Sequence, residues 1–477
     1  MRELSEAVPS HRSIFSPWTY LTEFQRSLLA SGVATLMSSA LPVSITLIGS
    51  HTLKPDELGQ VSLVLWCISI GALLGNSWSA WLLPQVAQRP SPASADGVME
   101  GLGLSSAGGG VAAALTLVSG LRAELAVPSA LGAAALGAIR VLAAVLQGRG
   151  TYLRLALSSA AGLIVALISL AIVLAVSVSG GALVASYVVG LVSAAVVAYA
   201  ISGAVQARPL SATLRSTGLN KWTLILVLGV IDSFLWQRGE LLFLHYFRSD
   251  QEVGQYGAAY AVVATIGLPA AATAAVFLPR LARAAGDSHD ARVTYSRMWI
   301  AVSIAFPVLL WLATLSATLL VGRAGSELSP SPSVLAAILA IGMGPAACGV
   351  VSASAFYATG RIGRMVSLGG AGAITSLALD FLLIPGYGML GAAAASASIR
   401  LSVTCLGFLI AGRMFHVRAK AVVLAGVALG AGALGDLGLL LIYAGAVETG
   451  LLTLAAATLI VLVVGIRFLH DVRHSQL

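Results

Sequence analysis

Three arginines, Arg140, Arg238 and Arg400, each lie inside a long apolar stretch of this 477-residue chain. An ionised side chain at membrane depth is expensive unless it is paired or hydrated, so each marks a candidate functional position. A guanidinium is always charged and forks onto phosphate or carboxylate oxygens. Arg400 has Ser396 and Thr404 four residues to either side, a polar stripe on one helical face that predicts a water-facing surface. Asp232, Trp236 and Glu240 recur every four residues and drift by about 80° in total, so they could line one winding face of a cavity. Arg238 falls on a different side of that helix and has no acid three or four residues away. It therefore needs a partner on another helix, or water. A structural ion pair is the competing reading for each of these groups. Asp380 is expected at a surface or in a capping role, Asp436 outside any pathway, and His245 near the outer surface without a relay function.

Other chemistry is missing from the pattern. Cys67, Cys348 and Cys405 sit in apolar segments without CxxC or Cys/His spacing, which reads as buried hydrophobes and neither a disulfide nor a metal site. No GxxxxGK[ST] phosphate loop occurs. No cofactor, no metal and no enzymatic activity are expected.

The elements that must position these groups are membrane helices. The chain is 58% hydrophobic and 10% charged, with mean hydropathy +0.93. Soluble proteins carry about 25% charged residues, so lipid must cover part of this apolar excess. The net charge of +8 is spread among the apolar segments, as topology determinants are, and points away from nucleic acid. The first apolar run, from near Leu28 to Ile48, is too long for a signal h-region and is read as the first anchor.

Apolar segments of about 20 residues number fourteen. Their limits are 27–49, 58–84, 99–119, 123–146, 153–178, 181–205, 222–247, 254–284, 294–322, 332–358, 362–385, 388–412, 419–443 and 449–468. With a cytoplasmic amino terminus, twenty of the 27 basic residues fall at the inner ends and only Lys54, Arg122, Arg248 and Arg323 at the outer ones. A bias repeated loop by loop supports the count, because a missed span would invert it from that point on. Both termini are therefore expected in the cytoplasm, and no connection is long enough to fold alone.

The chain also repeats. DELGQV (56–61) parallels QEVGQY (251–256), LQGRGTYLR (146–154) parallels YATGRIGR (357–364), and GALVAS (181–186) parallels GAAAAS (391–396), at offsets of 195, 212 and 210. Each copy falls at the same rank in a block of six spans, so the copies share one orientation, a parallel repeat as in some secondary transporters. The expected domains are an amino-terminal lobe over 1–205, a second lobe over 206–415 and two added helices over 416–477.

At these residues the chain resembles the polysaccharide exporters and lipid-linked oligosaccharide flippases of the multidrug/oligosaccharidyl-lipid/polysaccharide (MOP) superfamily. Glu240, Val253, Gly254, Tyr256, Ala259, Pro269, Pro279 and Leu281 match one motif, and Ile384, Pro385, Gly388, Gly391, Ala392 and Ala393 a second. The likeness is strongest over 215–412; Glu240 departs from the family's commoner Asp. It implies an all-α, fourteen-helix fold of two six-helix lobes plus two helices, similar to multidrug (MATE) transporters. It further implies alternating-access flipping of polyprenyl-linked glycan precursors for cell-surface polysaccharide synthesis in a bacterial plasma membrane. Arg140, Asp232, Arg238, Glu240 and Arg400 would line the cavity and hold a diphosphate and glycan. Expected partners are the lipid-linked glycan, membrane lipids and the pathway's glycosyltransferases or polymerase. The coupling ion, proton or sodium, stays open. The alternatives are a cation-coupled multidrug antiporter of the same fold, disfavoured by the few ionisable groups in the first six spans, or a non-transporting subunit of an envelope-glycan assembly.

Overall fold

The computed structural model describes residues 17–88, 94–202, 238–284, 290–296, 332–415 and 446–474, with isolated positions at 227, 231, 311 and between 427 and 441. Nearly all of these are helical, and no strand occurs among them. The first half holds α1 (Pro17–Thr52), α2 (Pro55–Gly71), α3 (Leu73–Gln88), α4 (Ser94–Val118), α5 (Ala126–Gly148), α6 (Tyr152–Val176) and α7 (Gly180–Ser202). Then come α8 (Glu240–Phe247), α9 (Asp250–Val263), α10 (Leu268–Ala284), α11 (Pro332–Ala358), α12 (Ile362–Met414) and α13 (Val447–His474). Among the described residues six helices are long and apolar enough to cross a membrane, and up to eight if two bent pairs each count as one span. The expected spans 294–322 and 419–443, and most of 222–247, lie largely outside the described residues.

The helix termini follow from local chemistry. Pro55 opens α2 after an extended Lys54, with Asp56 and Glu57 in the first turn, where their charge suits the helix dipole. Ser249 caps α9 by accepting the Glu252 N–H. Exposed Leu157, Ile164, Ile168 and Ile172 on α6, and Leu452, Leu459 and Leu462 on α13, form apolar faces that suit lipid.

The internal repeat is visible in the backbone. The two bent spans occupy the same rank: α2 and α3 meet at 41°, α9 and α10 at 53°. α5 and α11 end alike. Gly150 (φ 73) and Gly360 (φ 68) both turn left-handed, with Thr151 N–H donating to Leu146 and Arg361 N–H to Phe356. After each turn the next helix starts alike, Arg154 N–H on Thr151 and Arg364 N–H on Arg361. This shortens the offset of 212 between LQGRGTYLR and YATGRIGR to 210. The glycine that needs the left-handed conformation is Gly150, 210 positions before Gly360, the same spacing that relates Gly181 to Gly391. The break at Gly388 (φ 54, ψ −133) divides α12 into two arms, the counterparts of α6 and α7.

Two ends of the molecule can be told apart. The near end holds the start of α1 and the turn at Gly150; there Arg149 and Arg154 donate to the last carbonyls of α7 at Ser202 and Ile201. The far end holds the turns after α1, α4, α6 and α8 and the break in α12. The halves touch at both. Near the start of α1, Ser31 donates to the Ala272 carbonyl and Tyr152 to that of Ala275.

At the far end the contact is reciprocal. A Cβ on Gly59 would collide with the Asp250 carbonyl, and one on Gly254 would lie 2.8 Å from the Pro55 carbonyl oxygen. Asp250 stands 195 positions after Pro55, as Gly254 does after Gly59. Residue i meets the copy of j while j meets the copy of i, the signature of a contact across a two-fold axis. The repeat therefore pairs with itself.

Candidate functional site

The polar cluster forms where α9, α11 and both arms of α12 meet the segment around residue 238. Among the described residues Arg238 alone, apart from glycines, has positive φ, at 66°. The strained conformation and Gly239 after it set the start of α8 at Glu240. Such a break, with charged residues on it, is the kind of feature that builds sites in membrane transporters. Gly239 is the sequence signal for it.

Glu240 is 2% exposed and its Oε1 accepts a 2.6 Å hydrogen bond from the Tyr256 hydroxyl. The Arg400 Nη2 lies 3.9 Å from the same oxygen, and Arg400 is likewise 2% exposed. A second acid, Asp380, is buried within electrostatic reach of both Glu240 and Arg400. Arg400 Nη1 also contacts the Met343 sulfur on α11. Asp380 Oδ1, Arg400 Nε and Thr404 Oγ1 have no hydrogen-bond partner among the described residues. Tyr260, one helical turn after Tyr256, receives two guanidinium groups over its ring, Arg238 at 4.4 Å and Arg400 at 5.1 Å.

Two expectations change here. The Ser396–Arg400–Thr404 stripe does not face water, since all three are buried. It faces the protein interior, where Arg400 lies against the Glu240 carboxylate with Asp380 in electrostatic reach. Asp380 is neither a surface nor a capping residue but a member of this cluster. Glu100, near the start of its span in α4, is also buried. Asp232, Trp236 and Asp436 lie outside the described residues. Tyr260 was not singled out by sequence, although its i, i+4 spacing from Tyr256 puts it on the same face of α9.

Arg140 stands apart from the buried pair. It is exposed on α5, in the first half, and within electrostatic reach of the Tyr187 phenol on α7. Arg238, from the second half, reaches the same phenol. Neither arginine forms a salt bridge among the described residues, although Glu240 is within electrostatic reach of Arg238. Two positive charges thus converge from the two halves on one neutral side chain, at a depth set by the middle of α5.

The remaining motif residues shape the frame. Pro269 sits in the first turn of α10, after a tight turn over Ala264–Gly267, and Pro279 is buried further along it. Pro385 precedes the break at Gly388. Around the break, Arg248 donates to the Ile384 and Gly386 carbonyls, and the Met389 N–H donates to Glu252. A Cβ on Gly391 would lie 2.5 Å from the Leu383 carbonyl oxygen, so only glycine lets the chain cross there.

Tyr256→Phe tests the cluster. It removes a hydrogen bond to a buried carboxylate, which should lower stability by about 1.5–3 kcal/mol. The expected readout is a lower melting temperature in detergent, with protein still recovered.

No protein-family model matches the sequence, and no curated protein does. Solved structures do match. A MATE transporter in the bent conformation aligns with TM-score 0.60 at 14% identity, covering 85% of this chain and 97% of that one. A MATE in complex with MaD3S gives 0.61 at 14%, with 82% and 96% covered. An outward-facing multidrug resistance MATE family transporter of the MOP superfamily gives 0.58 at 16%, again with 82% and 96% covered. At this identity the likeness concerns the fold, and the fold is that of MATE and MOP transporters.

Proposed function

We propose that this chain is a secondary transporter that flips an anionic lipid-linked oligosaccharide or polysaccharide precursor across a bacterial plasma membrane. The headgroup passes between two lobes, 1–205 and 206–415, while the lipid tail stays in the bilayer. The observation that carries this reading is that Arg140 and Arg238 both lie within electrostatic reach of Tyr187 with no salt bridge among the described residues, the acid in reach of Arg238, Glu240, being already engaged by Tyr256 and Arg400. A diphosphate supplies the missing negative charge, and guanidinium groups fork onto its oxygens. In this reading both termini are cytoplasmic and the far end is outside, the orientation that the distribution of basic residues supports. Glycosyltransferases or a polymerase of the same pathway are the natural partners.

A second reading is a cation-coupled multidrug antiporter. It is favoured by the fold neighbours and by the buried Glu100 in the first half. A cationic drug would be repelled where Arg140 and Arg238 converge, which is why it comes second.

Reconstituted vesicles separate the two. A labelled polyprenyl-pyrophosphate oligosaccharide should appear in the opposite leaflet only when the protein is present. Arg140→Ala and Arg238→Ala should each lower that rate by about tenfold or more, the value of one charge-assisted hydrogen bond. Arg→Lys at either position should restore part of it. Ethidium movement that follows an imposed ion gradient, with no flipping, would establish the antiporter instead.

A further inference from the structure

Beside the reciprocal glycine contact, the far end carries an imidazole between the halves. His245 Nε2 lies 3.1 Å from the carbonyl oxygen of Ser119, in the first half, and Nδ1 lies 2.6 Å from Asp250 Oδ1. Both neighbours are acceptors. A neutral imidazole has one N–H, so it satisfies one of them and turns a lone pair on the other. Only an imidazolium, or the equivalent proton shared between Nδ1 and Oδ1, satisfies both contacts.

The surroundings hold an acceptor against each ring nitrogen. Ser119 ends α4: the left-handed Gly120 donates to Leu117 and Leu121 donates to Thr116, so the Ser119 carbonyl points out of the helix at its negative pole. Asp250 lies in the first turn of α9, where the positive pole favours its carboxylate. The other charged and titratable groups nearby are engaged elsewhere or exposed. Arg248 is held by the Ile384 and Gly386 carbonyls, and Glu252 by the Met389 N–H. Arg122 and Glu124, after Ser119, form an exposed pair, 64% and 70% accessible. α2, packed on α9, brings Lys54, Asp56 and Glu57 to the same end, and the Tyr246 ring stands edge-on to the imidazole. The His245 and Asp250 side chains are 20% and 25% exposed, so water and protons reach them.

We propose that His245 is a proton-binding site that latches the two halves together at the far end. Protonated, it bridges Ser119 and Asp250 and closes that end; on losing the proton, the one remaining N–H stays with the Asp250 carboxylate, the Nε2 lone pair meets the Ser119 carbonyl of the other half, and the end is released. Because the contact between the halves needs the second N–H, closure rises as pH falls. In the proposed orientation the proton arrives from outside. The latch itself does not depend on what is carried, so its test uses no substrate.

The test is a distance measurement by pulsed electron resonance on the full chain in lipid nanodiscs. Spin labels go on Ser177→Cys and Tyr387→Cys, both exposed at the far end, with Cys67, Cys348 and Cys405 replaced. The samples are compared at about pH 5 and about pH 8, either side of the range in which imidazole titrates. The closed-to-open ratio of the otherwise unaltered chain should rise by about tenfold at the lower pH, the order of one charge-assisted hydrogen bond. His245→Gln, which cannot take the charge, should stay largely open at both. Asp250→Asn should stay closed at both, because an amide can donate to Nδ1 of a neutral imidazole. No pH response without these substitutions, or a response that persists in His245→Gln, would overturn the proposal. So would an Asp250→Asn protein that opens at both pH values.

Discussion

Arg400→Ala is expected to leave little folded protein. The side chain is 2% exposed and lies against Glu240, with buried Asp380 in electrostatic reach. Removing it strands the Glu240 carboxylate in the interior beside a second buried acid. Breaking a buried pair from one side costs about 3–5 kcal/mol, a large share of the roughly 5–15 kcal/mol that holds a typical protein together. The measurement is the monodisperse fraction on size-exclusion chromatography together with the melting temperature in detergent, and both should fall steeply. Arg400→Met combined with Glu240→Gln and Asp380→Asn should recover much of the loss, since an apolar or neutral replacement of a whole buried cluster is often tolerated. Full stability in Arg400→Ala, with transport lost, would instead make Arg400 a cavity residue that meets the substrate.

That expectation reverses what the stripe of Ser396, Arg400 and Thr404 suggests by itself. Helical spacing places the three on one face, and it does so correctly. What lies opposite that face is set by residues 160 and 20 positions away, Glu240 and Asp380, which no local pattern connects. In a chain whose helices are apolar nearly all round, periodicity cannot tell a face turned to lipid from one turned to another helix. The membrane class and the repeat are legible because they rest on length, composition and self-similarity, each summed over many residues. Gly254 and Tyr256 stand out in the family-like motif, yet their roles differ. Tyr256 serves the buried Glu240, whereas Gly254 serves the contact between halves. The convergence of Arg140 and Arg238 on Tyr187 is half legible: the arginines are conspicuous in hydrocarbon, but the tyrosine that both reach is one of eleven in the chain and carries no mark of its own.

Gly59→Ala and Gly254→Ala should each abolish transport without harming the fold. A Cβ at either position meets a backbone carbonyl of the other half, and a backbone cannot turn aside as a flexible side chain can. Both glycines lie within helices, where alanine is favoured over glycine by about 1 kcal/mol. Each half should therefore be as stable as before, or slightly more so, while the two can no longer meet at the far end. A transporter that works by rocking its lobes must make and break that contact in every cycle. The substituted proteins are expected to rest with the far end open. Spin-label distances there should lengthen at every pH, and flipping should fall to the rate of protein-free vesicles. Gly103→Ala on α4 is the control, because a Cβ there meets nothing within 4 Å. It should leave both transport and far-end distances unchanged. Wild-type transport in Gly254→Ala would mean that the reciprocal contact is not part of the cycle, and the rocking of the two copies about it would have to be abandoned.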